Sequence, residues 1–165
     1  MQRKISKILA INPGTRYLGV AVFEGPELLE WRVKTVEGKT FKLKLENVKA
    51  IISDFIERYQ LNVLAIKKLD RCRSSANLNQ LVGRIRQLSK RKGLKIYQYP
   101  IKEVEAFFIS EGRLNKKRLA ELLAAKYPEL VHEFNKEKAN RNSYHVRMFE
   151  AVALGAVCSY QLQSH

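Results

Sequence analysis

The amino-acid sequence predicts an α/β domain: a mixed five-stranded sheet with helices on both faces. Three observations lead there. The first third holds three short apolar or β-branched runs separated by Pro and Gly turn signals. Two longer segments follow, with apolar residues at three- and four-residue steps, and each runs into another short apolar run. The remainder has helical periodicity.

Taken in order, residues 7–12 (KILAIN) are an apolar run stopped by Pro13-Gly14, which predicts a buried strand ending at Asn12. Residues 17–23 (YLGVAVF) are rich in strand formers, and the short link back to Asn12 suits an antiparallel hairpin. Gly25-Pro26 marks the next turn, and 28–35 (LLEWRVKT) alternates as a half-exposed third strand. Between 41 and 60, Leu45, Val48, Ile51, Ile52, Phe55, Ile56 and Tyr59 make one helical face. The strand 62–66 (NVLAI) follows that helix, so a crossover places it parallel to the first. A second helix covers 75–92, with the stripe Leu78, Leu81, Val82, Ile85 and Leu88 and a stop at Gly93. Residues 95–99 (KIYQY) form the fifth strand before Pro100. Helical pieces at 101–109 and 116–127, a polar flexible stretch at 135–143 and a last helix at 145–162 complete the chain. Three antiparallel strands followed by two crossover units are the architecture of an RNase H-like fold, predicted here as one domain over 1–165.

The chain has 165 residues, too few for two domains of ordinary size. Lys and Arg number 31 against 16 Asp and Glu, giving a net charge of +15 and a pI near 10.0. So basic a surface repels itself until it meets a polyanion, and nucleic acid is the expected one. No run approaches the length of a membrane span, and the apolar run ILAI is too short for a signal-peptide core. Cys72 and Cys158 lie far apart, in no metal-ligand spacing, and read as small packing residues of a protein in the reducing cytoplasm.

Residues 8–22, ILAINPGTRYLGVAV, resemble the opening hairpin of RuvC-type Holliday-junction resolvases, where an apolar strand leads into Asp-Pro-Gly-Ser/Thr-Arg and a Gly-containing strand. The similarity continues at 64–66 (LAI), where the family strand reads Ala-Ile-Glu. It resumes at 150–155 (EAVALG), where the family's last helix reads Asp-Ala-x-Ala-x-Ala. The resemblance implies the RNase H-like fold and a four-carboxylate site. Two Mg²⁺ ions held there would activate a water and stabilise the leaving oxygen in phosphodiester hydrolysis.

The matching positions here are Asn12, Lys67, Arg147 and Glu150, with a summed formal charge of +1. An ammonium about 5 Å from a divalent ion costs about 7 kcal/mol at an effective dielectric of about 20. The resemblance therefore implies a member with degraded catalytic carboxylates, in which Lys67 and Arg147 stand in for metal ions and contact a phosphate. Other readings stand beside this one. Asn12 is also an ordinary residue before a Pro-Gly turn, Lys67 can pair with Glu150 or Asp70, and Arg147 can face solvent. His145 and Asp70, with Glu150, are the candidates for a catalytic rescue through one metal.

The candidate nucleic-acid surface comprises Lys67, Lys68, Arg71, Arg73, Arg84, Arg113, Lys116, Lys117, Arg118 and Arg147. The expected partner is branched or double-stranded DNA, a four-way junction in particular, or structured RNA. The resemblance also implies a homodimer through the helix at 75–92. No metal or other cofactor is expected. The enzyme alternative is a divergent crossover junction endodeoxyribonuclease with a remodelled Mg²⁺ or Mn²⁺ site, and a third class is an assembly or scaffold protein whose basic surface meets an acidic protein or RNA.

Overall fold

The first two strands, β1 (Lys7–Asn12) and β2 (Tyr17–Glu24), pair as an antiparallel hairpin around Pro13-Gly14 in a computed structural model that describes residues 5–108, 116–140 and 144–163. Strand β3 (Glu27–Thr35) adds to β2 in antiparallel register, with a bulge at Val22/Phe23. Helix α1 (Phe41–Tyr59) then crosses the sheet. The Thr40 side chain caps it by accepting from the Leu43 N–H, and Gln60 ends it in the left-handed region at φ 52°. The chain returns as β4 (Val63–Lys67), parallel to β1. Helix α2 (Ala76–Arg91), capped by Ser75, leads into β5 (Lys95–Tyr99), parallel to β4. The sheet order is β3-β2-β1-β4-β5, so the predicted mixed RNase H-like architecture is the one observed.

The rest of the chain is helical: α3 (Ile101–Phe108), α4 (Lys116–Lys126), a 3₁₀ turn at Pro128–Leu130, α5 (Val131–Asn140) and α6 (Tyr144–Gln163). The period-2 alternation of the strands sorts their side chains into two cores. Leu9, Ile11, Val20, Val22, Leu64 and Ile66 face α1 and α2. Ile8, Ala10, Ala21, Phe23, Val63 and Ala65 face α6 and the shorter helices.

The second face has a feature that governs the site. Ala21, Ala10 and Ala65 stand opposite one another across three neighbouring strands, a row of methyl groups beneath α6. Gly155 of α6 sits over that row, and a Cβ there would collide with the Phe23 ring and press on the Ala10 methyl. Small residues on both sides let the helix approach the sheet closely, and at that separation packing has no slack.

Two expectations need correction. The sequence predicts a polar flexible stretch at 135–143, yet α5 continues to Asn140. Its helix rests on few apolar anchors: Leu130 is buried just before it and Phe134 packs against the α6-side core, too sparse a stripe for periodicity to register. Residues 141–143 lie outside the described residues. Cys72 is exposed in the turn after β4, so it is not a packing residue, whereas Cys158 is buried. The stripe on α2 is consumed inside the molecule, where Leu81, Val82, Ile85 and Leu88 are buried in the same core as α1 and the sheet. Among the described residues no helix is long and apolar enough to cross a membrane.

Two tests follow from the packing. Gly155→Ala should cost about 1–3 kcal/mol of stability by overpacking, read as a lower midpoint in urea denaturation; an unchanged midpoint would contradict the close seat of α6. Burial pushes the Cys158 thiol up to about 11, a hydrogen bond with Tyr99 opposing, so a thiol reagent should modify Cys72 rapidly and spare Cys158 in the folded protein. Equal labelling rates for the two would contradict that burial.

Candidate nucleic-acid interface

Parallel pairing of β1 with β4 aligns Ile11 with Ile66, so the next residues, Asn12 and Lys67, emerge side by side at the carboxyl ends of the two central strands. That is where open α/β sheets place ligands. The first turns of α6 lie over the same ends and add Arg147 and Glu150. Gly19 of β2 permits this, since a Cβ there would collide with the Arg147 carbonyl.

Three of the four side chains, Asn12, Lys67 and Glu150, form one cluster. Asn12 is 3% exposed and Glu150 is 5% exposed. The Asn12 amide Nδ2 donates to Glu150 Oε2 at 2.7 Å and to the Arg147 carbonyl at 3.4 Å. The Lys67 ammonium stands 3.6 Å from the same Glu150 Oε2, with its side chain 27% exposed. A buried carboxylate needs such partners, because desolvation without them costs several kcal/mol. The Arg147 guanidinium folds the other way, with Nη1 3.4 Å from the Pro13 carbonyl and packed so tightly on Gly14 that a Cβ there would strike it. Glu150 therefore stands at the centre of the cluster, with Lys67 on its exposed side and the Arg147 guanidinium outside it.

This cluster forms one wall of an open cleft of about 730 Å³. Among the described residues Lys67, Lys68, Arg73, Lys102 and Arg147 line it, against two carboxylates, Asp70 and Glu150. Ser74 and Ser75, at the start of α2, and Thr15 add hydroxyl groups. Asp70 does not join Glu150. Its Oδ1 accepts from the Cys72 N–H at 3.0 Å, and its Oδ2 faces Arg73 Nε at 3.7 Å, so it braces its own turn. His145 is not among the cleft-lining residues. Burial, and secondarily Lys136, hold its pKa below the ordinary histidine value, which favours the neutral ring.

The other cations named from sequence are dispersed. Arg71 is exposed in the loop after β4 but does not line the cleft, and Arg84 is exposed on α2. Arg118, on α4, lies 3.3 Å from Glu121. Arg113 lies outside the described residues, as do the side chains of Lys116 and Lys117, whose backbone begins α4. Sequence reasoning missed Lys102. Its signal was available: it follows the end of β5, the strand beside β4, and so reaches the same edge of the sheet.

The donor set does not suit the two divalent ions of a resolvase site. Among the described residues, no group of three or more His, Cys, Asp or Glu side chains converges. The buried carboxylate of the cluster directs an oxygen at an ammonium and an amide N–H, so that oxygen is already committed to a fixed cation and a donor of the chain itself.

No family model matches the chain, and no curated protein gives a significant match. Solved structures do match. RuvC of Thermus thermophilus in complex with a Holliday junction substrate superposes with a TM-score of 0.69 at 15% identity, covering 96% of each chain. A further T. thermophilus RuvC structure gives 0.69 at 17% identity with the same coverage. The yeast mitochondrial Holliday junction resolvase Ydc2 gives 0.66 at 14% identity, covering 97% of this chain and 81% of that one. The fold of this chain is thus the RNase H-like fold of the RuvC and Ydc2 resolvases, at sequence identities that carry the architecture and nothing finer.

Proposed function

We propose that this protein binds branched or double-stranded DNA in the cleft at the carboxyl ends of β1 and β4 and does so without metal-dependent cleavage. The observation that carries the reading is the Lys67 ammonium, 3.6 Å from Glu150 and beside Asn12, at the point where a resolvase needs converging carboxylates. Glu150 fixes the ammonium in place, and the partly exposed Lys67 side chain still offers donors to a phosphate oxygen. Arg147, Lys68, Arg73 and Lys102 widen that positive field along the cleft. A similar fold binds a Holliday junction in T. thermophilus RuvC, which makes a four-way junction the first ligand to try.

The basic composition supports a polyanion as partner, and release of counterions from it would supply much of the affinity. Asn12 then has a structural task. Its amide occupies one oxygen of Glu150 and keeps the buried carboxylate from standing alone against Lys67.

The double variant Lys67→Gln with Arg147→Gln should bind a synthetic four-way junction on the order of a hundredfold more weakly at low salt, about tenfold for each charge-assisted hydrogen bond removed. Unchanged affinity in a gel shift or anisotropy titration would overturn the role of these cations. Binding should persist in EDTA and weaken steeply with salt. In Mg²⁺ or Mn²⁺, denaturing gels should show the junction strands intact. Metal-dependent nicks abolished by Glu150→Gln would establish the endonuclease alternative instead. The thermal midpoint supplies an independent measure: it should not move with millimolar Mn²⁺, because an ion bound to the folded state would raise it.

A further inference from the structure

From Arg71 to Lys102 the chain carries nine Lys and Arg residues and no Asp or Glu. Helix α2 occupies the middle of that stretch. Its inner face is spent on the core through Leu81, Val82, Ile85 and Leu88. At 3.6 residues per turn the outermost positions are Ala76, Gln80, Gly83 and Gln87, all exposed. They form an uncharged seam of two small residues and two amides. Nothing lies within 4 Å of where a Gly83 side chain would begin.

Cations flank the seam on both sides. Arg84 and Arg91 follow one side, and Arg86 and Lys90 the other, and all four are exposed. Among the described residues none of the four has an ion-pair partner; Lys92, at the end of the helix, lies 3.1 Å from Glu57 of α1. A second copy docked on this face would set unneutralised guanidinium groups against their equals, with no carboxylate on the helix to answer them.

We propose that the outer face of α2 docks into the major groove of duplex DNA. Arg84 and Arg91 take phosphates of one strand, Arg86 and Lys90 take phosphates of the other, and Gln80 and Gln87 face the base edges. The B-form major groove is about 12 Å wide and admits one helix, and Ala76 and Gly83 allow close approach. Glutamine amides are suited to adenine edges in that groove. The 16 residues of α2 extend roughly 24 Å, enough to follow one groove passage. The helix starts at the cleft, where Ser74, Ser75 and Leu78 are lining residues. One duplex arm can therefore leave the cleft along α2. This inference rests on the nucleic-acid reading above but not on the cleft cations.

The experiment measures binding of the full chain to a linear duplex of about two helical turns across a salt series. Arg84→Glu with Arg91→Glu should weaken binding at least tenfold and reduce the slope of log affinity against log salt by about 2. Gly83→Leu fills the seam without changing charge. It should weaken duplex binding severalfold and leave the salt slope in place, with the helix intact by circular dichroism. Unchanged affinity and slope in the Arg variant, alongside weakened junction binding by the Lys67→Gln/Arg147→Gln variant, would overturn this inference and spare the cleft. Unchanged binding by Gly83→Leu would overturn the groove geometry. So would tighter binding of an RNA duplex, whose major groove is too narrow to admit the helix. Sedimentation supplies the last arm: a dimer dissociated by Arg84→Glu with Arg91→Glu would assign the face to a second copy. If the native chain bound no DNA at all, both proposals would fall together.

Discussion

The close seat of α6 on the sheet is the constraint from which the site follows. The alanine row across β2, β1 and β4 and the glycine above it remove the side-chain volume that ordinarily holds a helix off a sheet. With the helix so near, its first turns come level with the carboxyl ends of the strands. Glu150, from the last fifth of the sequence, then meets Asn12 and Lys67 from the first half. A helix held farther out would leave Glu150 unable to reach Asn12, and its charge would have to be solvated some other way.

Once those side chains meet under burial, electrostatics fixes the remainder. A lone carboxylate at that depth is costly. Here an amide N–H and an ammonium converge on a single oxygen of Glu150. The RuvC and Ydc2 structures share the architecture, but at 14–17% identity the similarity leaves the chemistry of the strand ends open. It is the charge at those ends in this chain that argues against a two-metal centre, and the same charge suits a phosphate.

Positive charge is also unevenly distributed. The loop after β4 is rich in cations, and α2 and β5 carry cations alone, while α1 on the same face of the sheet holds Glu46, Asp54 and Glu57. Counterbalance is thus available to one helix of the pair and almost absent from the other. The two surfaces enriched in cations, the cleft and the outside of α2, meet at Ser74 and Ser75, so a single polyanion can touch both.

Much of the architecture was legible in the chain itself. Short β-branched runs closed by Pro and Gly, and apolar steps of three and four, are local signals, and burial on a sheet or helix face enforces them. They gave five strands in order and the crossover helices within a residue or two. They failed at α5, where the buried Leu130 and the partly buried Phe134 hold a helix whose own pattern is weak. The positions of Asn12, Lys67, Arg147 and Glu150 were also named by resemblance to a known hairpin and helix. What sequence could not decide was direction. Lys67 turning to Glu150, Arg147 bending back over Pro13, Asp70 closing its own turn and Lys102 entering the cleft depend on how side chains settle once the chain has folded. Local patterning determines which elements form because it is read along the backbone; which charges meet is decided only when helix and sheet pack, since those energies arise between residues that sequence does not place together.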